Sequence, residues 1–116
     1  MFSVREQEAR RSRALSALRA VAALVLLATV CVVADGARPP ARQLGARLWV
    51  RAVHAWQDTA RPLLAGRVAC RYRPTCSEYS IEAVTRHGWP RGITLTVRRV
   101  FSCRQNVPLG TVDPVP

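Results

Sequence analysis

The feature that most constrains the fold is an apolar run near the start of the chain. Residues 20–34 carry no charged side chain, and Thr29 is the most polar residue among them. A helix over this run reaches about 22 Å, short of a hydrocarbon core of ~30 Å. Extending the helix back to Ala14 adds one charge, Arg19, whose long side chain can reach the headgroups. We therefore predict a membrane-spanning helix.

Two other interpretations of this run stay open. A secretory signal peptide would also have a basic start and an apolar middle, with Val32-Val33-Ala34 as a cleavage site of small residues. A buried core helix is the least favoured, because little core follows for it to pack against. Residues 1–13 are polar and are predicted to be disordered or interfacial, and residues 35–43, with Gly36, Pro39 and Pro40, are predicted to be a linker.

An amphipathic helix is predicted from Leu44 to about Leu64. At 100° per residue its apolar face carries Leu48, Trp49, Ala52, Val53, Trp56, Ala60 and Leu63. The opposite face carries Gln43, Arg47, Arg51, His54, Asp58 and Arg61. Pro62 disfavours helix at Arg61, so the helix should end or kink there. The apolar face fits either packing onto the downstream residues or a helix in the membrane interface, where tryptophans suit the boundary between lipid and water. In the second interpretation Arg47, Trp49, Arg51, Trp56 and Arg61 contact the membrane surface.

The net charge of +11, carried entirely by arginine, predicts an anionic partner. A lipid surface, a nucleic acid or an acidic protein would each satisfy that charge. Arg71-Tyr72-Arg73 interleaves charge with an aromatic ring, which can stack bases, but no nucleic-acid recognition module is present. An upstream hydrophobic anchor makes lipid headgroups or membrane-protein substrates the nearer source of anions.

Two short helices are predicted after the amphipathic one. Thr75 is a good N-cap and Glu78 completes a capping box, while Gly88 should end that helix. A last helix is predicted from Arg91 to Cys103, although residues 93–97 also alternate like a strand. Residues 104–116 should be extended and ordered by docking. The predicted fold is all-α: an N-terminal segment over residues 1–43 and a small helical domain over residues 44–116.

The sequence gives little support for a metal site or for catalysis. Cys70, Cys76 and Cys103 with His87 would make a zinc set only in principle, because the cysteines lack the usual close spacing. We predict structural thiols, with a disulfide as an alternative on an oxidising side of the membrane, and no bound metal. Phosphate-binding, hydrolase and metalloprotease motifs are absent from the sequence. The chain is therefore predicted not to be an enzyme and to need no cofactor.

From about Leu48 onward the chain resembles the YidD family, the membrane protein insertion efficiency factors. After Arg61-Pro62-Leu63-Leu64, the resemblance rests on Cys70, Arg71, Tyr72, Pro74, Thr75, Cys76, Ser77, Tyr79, Glu82, Ala83, His87, Gly88, Gly92, Arg99, Cys103, Asp113, Pro114, Val115 and Pro116. The block C-R-Y-x-P-T-C-S together with a D-P-V-P end is specific to this family. Two features depart from the family pattern: residues 104–112 replace a run of the H/N-P-x-x-P-G-G type, and residues 1–43 extend the chain.

The resemblance implies a bacterial protein, peripheral to the cytoplasmic face of the plasma membrane, that helps integral membrane proteins to insert or fold. The implied partners are the insertase or translocon, nascent membrane proteins and an anionic lipid surface, with no small-molecule substrate. A membrane-tethered zinc-binding or nucleic-acid-binding module is the alternative function. Arginines before the apolar run favour a cytoplasmic N-terminus, which would place the domain outside, but Arg38, Arg42, Arg47 and Arg51 nearly balance them. We predict a cytoplasmic domain.

Overall fold

The computed structural model describes residues 3–67 and 69–116. The chain divides into two compact units, Met1–Ala34 and Asp35–Pro116. The prediction of an all-α fold with an apolar N-terminal helix is confirmed: helices dominate, and the strands are two residues long.

The first helix, α1, spans Val4–Gly36 and is longer than predicted. Ser3 and Glu6 cap its start, because the backbone N–H of Ser3 donates to Glu6 Oε2 at 3.0 Å. The basic stretch before the apolar run is helical rather than disordered, since arginine, glutamate and alanine are good helix formers. Met1 and Phe2 lie outside the described residues. By length and composition α1 is able to cross a membrane, and its apolar side chains are exposed.

Residues 35–43, the predicted linker, form an ordered segment at the start of the second unit. Asp35 caps the next helix, because its carboxylate accepts the backbone N–H groups of Leu44 and Gly45 at 2.7 and 2.8 Å. Gln43 is buried, and it donates to the Gly36 and Arg38 carbonyls while accepting the backbone N–H of Trp89. A single 3-10 turn, Pro40–Arg42, lies between them. This stretch therefore packs against the helices that follow.

The amphipathic helix α2 spans Leu44–Leu63, close to the predicted range. The prediction that it ends or kinks at Arg61 is wrong about the end: Pro62 lies inside the last helical turn. Pro62 has no N–H to donate to the preceding turn, but only Leu63 follows it in the helix, so the disturbance is confined to the last turn.

Two helices complete the unit: α3 spans Cys76–His87 and α4 spans Trp89–Ser102. Thr75 caps α3 and Glu78 accepts its backbone N–H at 3.0 Å, which confirms the predicted capping box. Gly88, with φ 84°, ends α3 as predicted and begins α4. The last helix starts at Trp89, two residues before the predicted Arg91, and residues 93–97 are helical, so the strand alternative is wrong.

The C-terminal tail returns to the start of α3. Strand β2, Thr111–Val112, pairs in parallel with β1, Tyr72–Arg73, in the register Tyr72↔Thr111. Beyond this short ladder Val115 is buried with Tyr79 and Ala83, and Leu95 packs against them. The tail is thus extended and docked, as predicted, but the strand pairing was not foreseen.

Candidate functional site

The side chains of α2 divide into three adjacent sides around the helix axis. The packed side faces α3 and is made of Ala46, Trp49, Val50, Val53, Gln57 and Ala60, which are buried or half-buried. Trp49 Nε1 donates to Ser80 Oγ at 2.7 Å, and Gln57 Nε2 donates to Ser77 Oγ at 3.0 Å. These contacts hold α2 on α3 in a fixed rotation and so determine which side chains face outward.

The second side of α2 is apolar and exposed. Leu48 keeps 54% of its surface accessible and Trp56 keeps 49%, with Leu44, Ala52 and Leu63 beside them. The predicted apolar face is therefore split: Trp49, Val53 and Ala60 pack inward, whereas Leu48, Ala52, Trp56 and Leu63 are left uncovered within the unit. We call this group, with Leu44, the exposed apolar side.

The third side of α2 is cationic. Arg47, Arg51 and Arg61 are exposed and follow one another around the axis, with His54 and Asp58 among them. Arg47 Nη2 donates to the Ala41 carbonyl at 3.2 Å, which holds its guanidinium near the helix start. An exposed apolar side directly beside a line of arginines is the arrangement of a helix that lies in the membrane interface.

A second apolar patch on α4 was missed in the sequence. Val97, Val100 and Phe101 are exposed, Phe101 by 71%. Gly45 lies against the Trp89 ring, and Trp56 lines the same cleft as Val100, so α4 runs beside α2 in the same direction. The i, i+3, i+4 spacing of these three residues would have revealed the patch, but the strand-like pattern of residues 93–97 obscured it.

Arg99 is the centre of the cluster formed by the family-motif residues. It is 3% exposed, and its guanidinium donates to the Pro74 carbonyl at 2.6 Å and to the Asp113 carbonyl. The same guanidinium stacks between the rings of Tyr72 and Tyr79, with centroid distances of 4.5 and 4.2 Å. Arg99 therefore ties the turn before α3 to the tail.

Further residues in and beside the motif bind the tail in the same way. His87 Nε2 donates to the backbone oxygen of Pro116 at 2.7 Å, and Arg86 donates to the Val115 carbonyl at 3.3 Å while pairing with Glu82 at 2.8 Å. Arg71 donates to the Val107 carbonyl at 3.1 Å. Because Tyr72 stacks on Arg99 and Arg71 holds a loop, the Arg71-Tyr72-Arg73 pattern does not present a free stacking platform for nucleic-acid bases.

Glycines allow the helices of the unit to approach closely. A Cβ atom at Gly92 would lie 2.5 Å from Val84 Cα, so only glycine lets α4 pack directly on α3. A side chain at Gly88 would lie 2.7 Å from Gln43 Oε1, and its positive φ would be strained for any other residue. Gly88 and Gly92 thus allow close packing of the helices.

Two motif residues lie in the docked tail. Asp113 pairs with Arg99 at 3.5 Å, and Pro114 follows it.

Three thiols from separate parts of the sequence meet in the second unit. Cys70 Sγ lies 2.9 Å from Cys76 Sγ and 3.8 Å from Cys103 Sγ, and all three are free thiols. His87 bonds to Pro116, so it does not complete the Cys3His set considered from the sequence. Burial raises the pKa of the Cys70 thiol, but hydrogen bonds from Cys76, from nearby backbone N–H groups and from Cys103 outweigh burial and leave that pKa lowered. Burial and then the neighbouring Cys70 raise the pKa of Cys76 to about 12.

The chain matches the family model described as YidD, "Putative membrane protein insertion efficiency factor", over residues 45–116. Proteins with that same description include one from Serratia proteamaculans (strain 568), 44% identical over 62% of this chain and 81% of the relative. One from Anaeromyxobacter dehalogenans (strain 2CP-C) is 47% identical over 60% of this chain and 88% of the relative. One from Synechococcus sp. (strain CC9311) is 36% identical over 73% and 93%. No solved structure matches the chain.

Proposed function

The chain belongs to the YidD family of membrane protein insertion efficiency factors, and on that premise we propose that it assists the insertion of integral membrane proteins into the bacterial plasma membrane. It acts as a membrane-bound accessory beside the insertase or translocon rather than as an enzyme. The partners are an anionic lipid surface and nascent membrane proteins.

The observation that carries the proposal is the exposed apolar side of α2 beside its arginines. Leu48 and Trp56 are about half exposed although α2 is packed on α3, so they remain available to enter the headgroup region. Arg47, Arg51 and Arg61 then face lipid phosphates, each contributing on the order of 1 kcal/mol near an anionic surface. Because Trp49 packs against α3, Trp56 is the tryptophan of α2 that we propose enters the headgroup region.

Helix α1 supports the same location. It is long and apolar enough to cross a membrane, and Arg19 lies near one end of the apolar run, where its side chain can reach headgroups. As a membrane anchor, α1 raises the local concentration of the second unit at the lipid surface, so that α2 needs only moderate affinity of its own.

We place the second unit on the cytoplasmic side. Arg38, Arg42, Arg47 and Arg51 follow the apolar run closely and nearly balance the arginines before it, so the charge distribution does not force this unit outside. The resemblance to the family, whose members are peripheral to the cytoplasmic face, supports this side. There the arginine side of α2 and the Cys70–Ser77 turn meet the insertase or a nascent membrane segment.

A complementation assay tests the function. In a bacterial strain lacking its own family member, the full chain should raise the fraction of a reporter membrane protein that becomes integrated, measured by protease protection. The double variant Arg47→Glu, Arg51→Glu should fail to do so. Arg91→Glu, Arg98→Glu makes the same change of charge on α4 and should retain activity. Integration that does not respond to the wild-type chain, or that both double variants restore equally, would contradict the proposal.

A further inference from the structure

The three thiols of the second unit converge on one point although they are distant in sequence. Cys70 precedes β1, Cys76 is the first residue of α3, and Cys103 follows the last residue of α4. Their sulfur atoms all lie within 4.8 Å of one another. The fold therefore brings three sulfur atoms together, which the six-residue spacing of Cys70 and Cys76 did not predict.

The sulfur distances approach those of a metal–thiolate site. Two thiolates each ~2.3 Å from a tetrahedral zinc ion lie about 3.8 Å apart, which is the Cys70–Cys103 separation of 3.8 Å. Cys70 and Cys76, at 2.9 Å, are closer than two zinc-bound sulfurs. A small side-chain rotation at Cys76, moving its sulfur outward by about 1 Å, would open room for the ion.

Backbone donors point at two of these sulfur atoms. The N–H of Cys76 donates to Cys70 Sγ at 3.1 Å, and the N–H of Arg71 donates to Cys103 Sγ at 3.5 Å. Such bonds stabilise thiolate over thiol and fix the direction of the sulfur lone pairs. A pair of buried structural thiols needs no donors of this kind, because a neutral thiol is a poor hydrogen-bond acceptor.

The cluster also has an open and positively charged side. All three cysteines line a cleft of about 550 Å³, with Arg61, Arg73 and Ser77 among its other residues. Zinc bound by three thiolates carries one net negative charge, which the two arginines would offset. The cleft leaves space for a fourth ligand, such as a water molecule.

We propose that Cys70, Cys76 and Cys103 bind one Zn²⁺ ion, with its fourth coordination position open to the cleft. Three zinc–sulfur bonds form, and the protons of the three thiols pass to solvent. The ion fastens the end of α4 and the loop before β1 to the start of α3. This site does not depend on the role of the chain in membrane insertion, so either proposal can fail without the other.

Zinc binding is tested on the full chain, purified in detergent under reducing, oxygen-free conditions. After equilibration with Zn²⁺ and removal of the excess, elemental analysis should find one zinc ion per chain. Co²⁺ serves as the spectroscopic probe, and it should show thiolate-to-cobalt charge-transfer absorption together with the visible bands of tetrahedral cobalt.

The fourth cysteine provides the matched control. Cys31→Ser, in α1, should bind zinc as the wild type does. Cys103→Ser should lower the zinc affinity by more than ~10–100-fold, because loss of a residue that merely hydrogen-bonds a metal ligand already costs that much. Should Cys103→Ser fail to fold, as judged by circular dichroism, alkylation of the wild-type chain replaces it. Zn²⁺ should then protect three of its four thiols, as counted by intact mass.

Two results would overturn the proposal. One is zinc content that is the same in the wild type and Cys103→Ser, or alkylation of the wild-type thiols that is the same with and without Zn²⁺. The other is a Cys70–Cys76 disulfide in protein whose thiols were trapped directly in the cell, because oxidised sulfurs cannot ligate zinc as thiolates.

Discussion

At the residue scale, the buried guanidinium of Arg99 connects three parts of the second unit. It contacts the turn at Pro74, the tail at Asp113 and the rings of Tyr72 and Tyr79. The family resemblance identifies Arg99, but charge alone would place every arginine of this chain on the surface. Its burial depends on a tail that returns to β1, and no local pattern encodes that contact.

Arg99→Lys should destabilise the second unit by about 1–3 kcal/mol. A lysine keeps the charge but cannot donate in two fixed directions while stacking between two rings. Arg98→Lys, at the exposed neighbouring position, is the control and should change the free energy of unfolding by less than about 0.5 kcal/mol. Thermal unfolding followed by circular dichroism measures both, and equal effects would show that Arg99 makes no special contact.

The stability of the second unit should depend on pH through the Glu78 carboxyl. Its hydrogen bond with the Thr75 backbone holds the pKa of this carboxyl below its ordinary value of 4.5. Because the folded pKa is the lower one, the stabilisation is fully present above the ordinary value and is lost as pH falls through the folded pKa. Glu78→Ala should cost about 1 kcal/mol at neutral pH. Unfolding curves across pH should show this difference shrinking in acid, and a difference that stays constant would contradict the cap as its source.

At the element scale, helices were the most predictable part of the chain. Periodicity located α2, and capping signals located both ends of α3. The start of α1 was missed because its charge was taken for disorder, although its residues favour helix. The β1–β2 pair could not be predicted, since two-residue strands carry no periodic pattern and their pairing joins positions far apart in sequence.

Gly92→Ala tests the close contact of α3 and α4. The added methyl group would meet Val84 Cα at 2.5 Å, so the helices must separate, at a cost of about 1–3 kcal/mol or more. Arg91→Ala, at the exposed preceding position, should be nearly neutral. Chemical unfolding compares the two, and an unchanged midpoint for Gly92→Ala would mean that the helices are farther apart than the structure shows.

The two tryptophans of α2 should respond differently to mutation. Trp56→Ala should weaken vesicle binding roughly tenfold, through lost apolar burial, with little change in stability. Trp49→Ala should mainly destabilise the fold, because it removes packing on α3 and the bond to Ser80. Vesicle partition and thermal unfolding, measured on both variants, separate these effects. The reverse pattern would show that the exposed apolar side has been assigned to the wrong residues.

At the scale of the whole molecule, the sequence predicted the fold class, the family and the two-sided character of α2. It could not divide the apolar face of α2 into packed and exposed sides, because that division depends on where α3 lies. The sequence also did not predict that Cys103 lies beside Cys70 and Cys76, because that proximity depends on the length and direction of α4. Long-range placement is therefore where the structure adds most.

The side of the membrane is a whole-molecule property with its own test. A topology reporter fused after Pro116 should be active in its cytoplasmic form, as expected for a family whose members act at the cytoplasmic face. Moving the reporter to the N-terminus shows whether α1 spans the membrane or lies along it. A signal from the outer side after Pro116 would contradict the cytoplasmic location.

The most direct test of the central claim is flotation of residues 35–116 with lipid vesicles, after circular dichroism has shown that this unit is folded. The unit should float with anionic vesicles and much less with neutral ones. Arg47→Glu, Arg51→Glu should weaken binding by at least about 30-fold, at ~1 kcal/mol per arginine, and Arg91→Glu, Arg98→Glu should weaken it less. A folded unit that stays in the soluble fraction, or equal flotation of the two double variants, would contradict a membrane contact through α2.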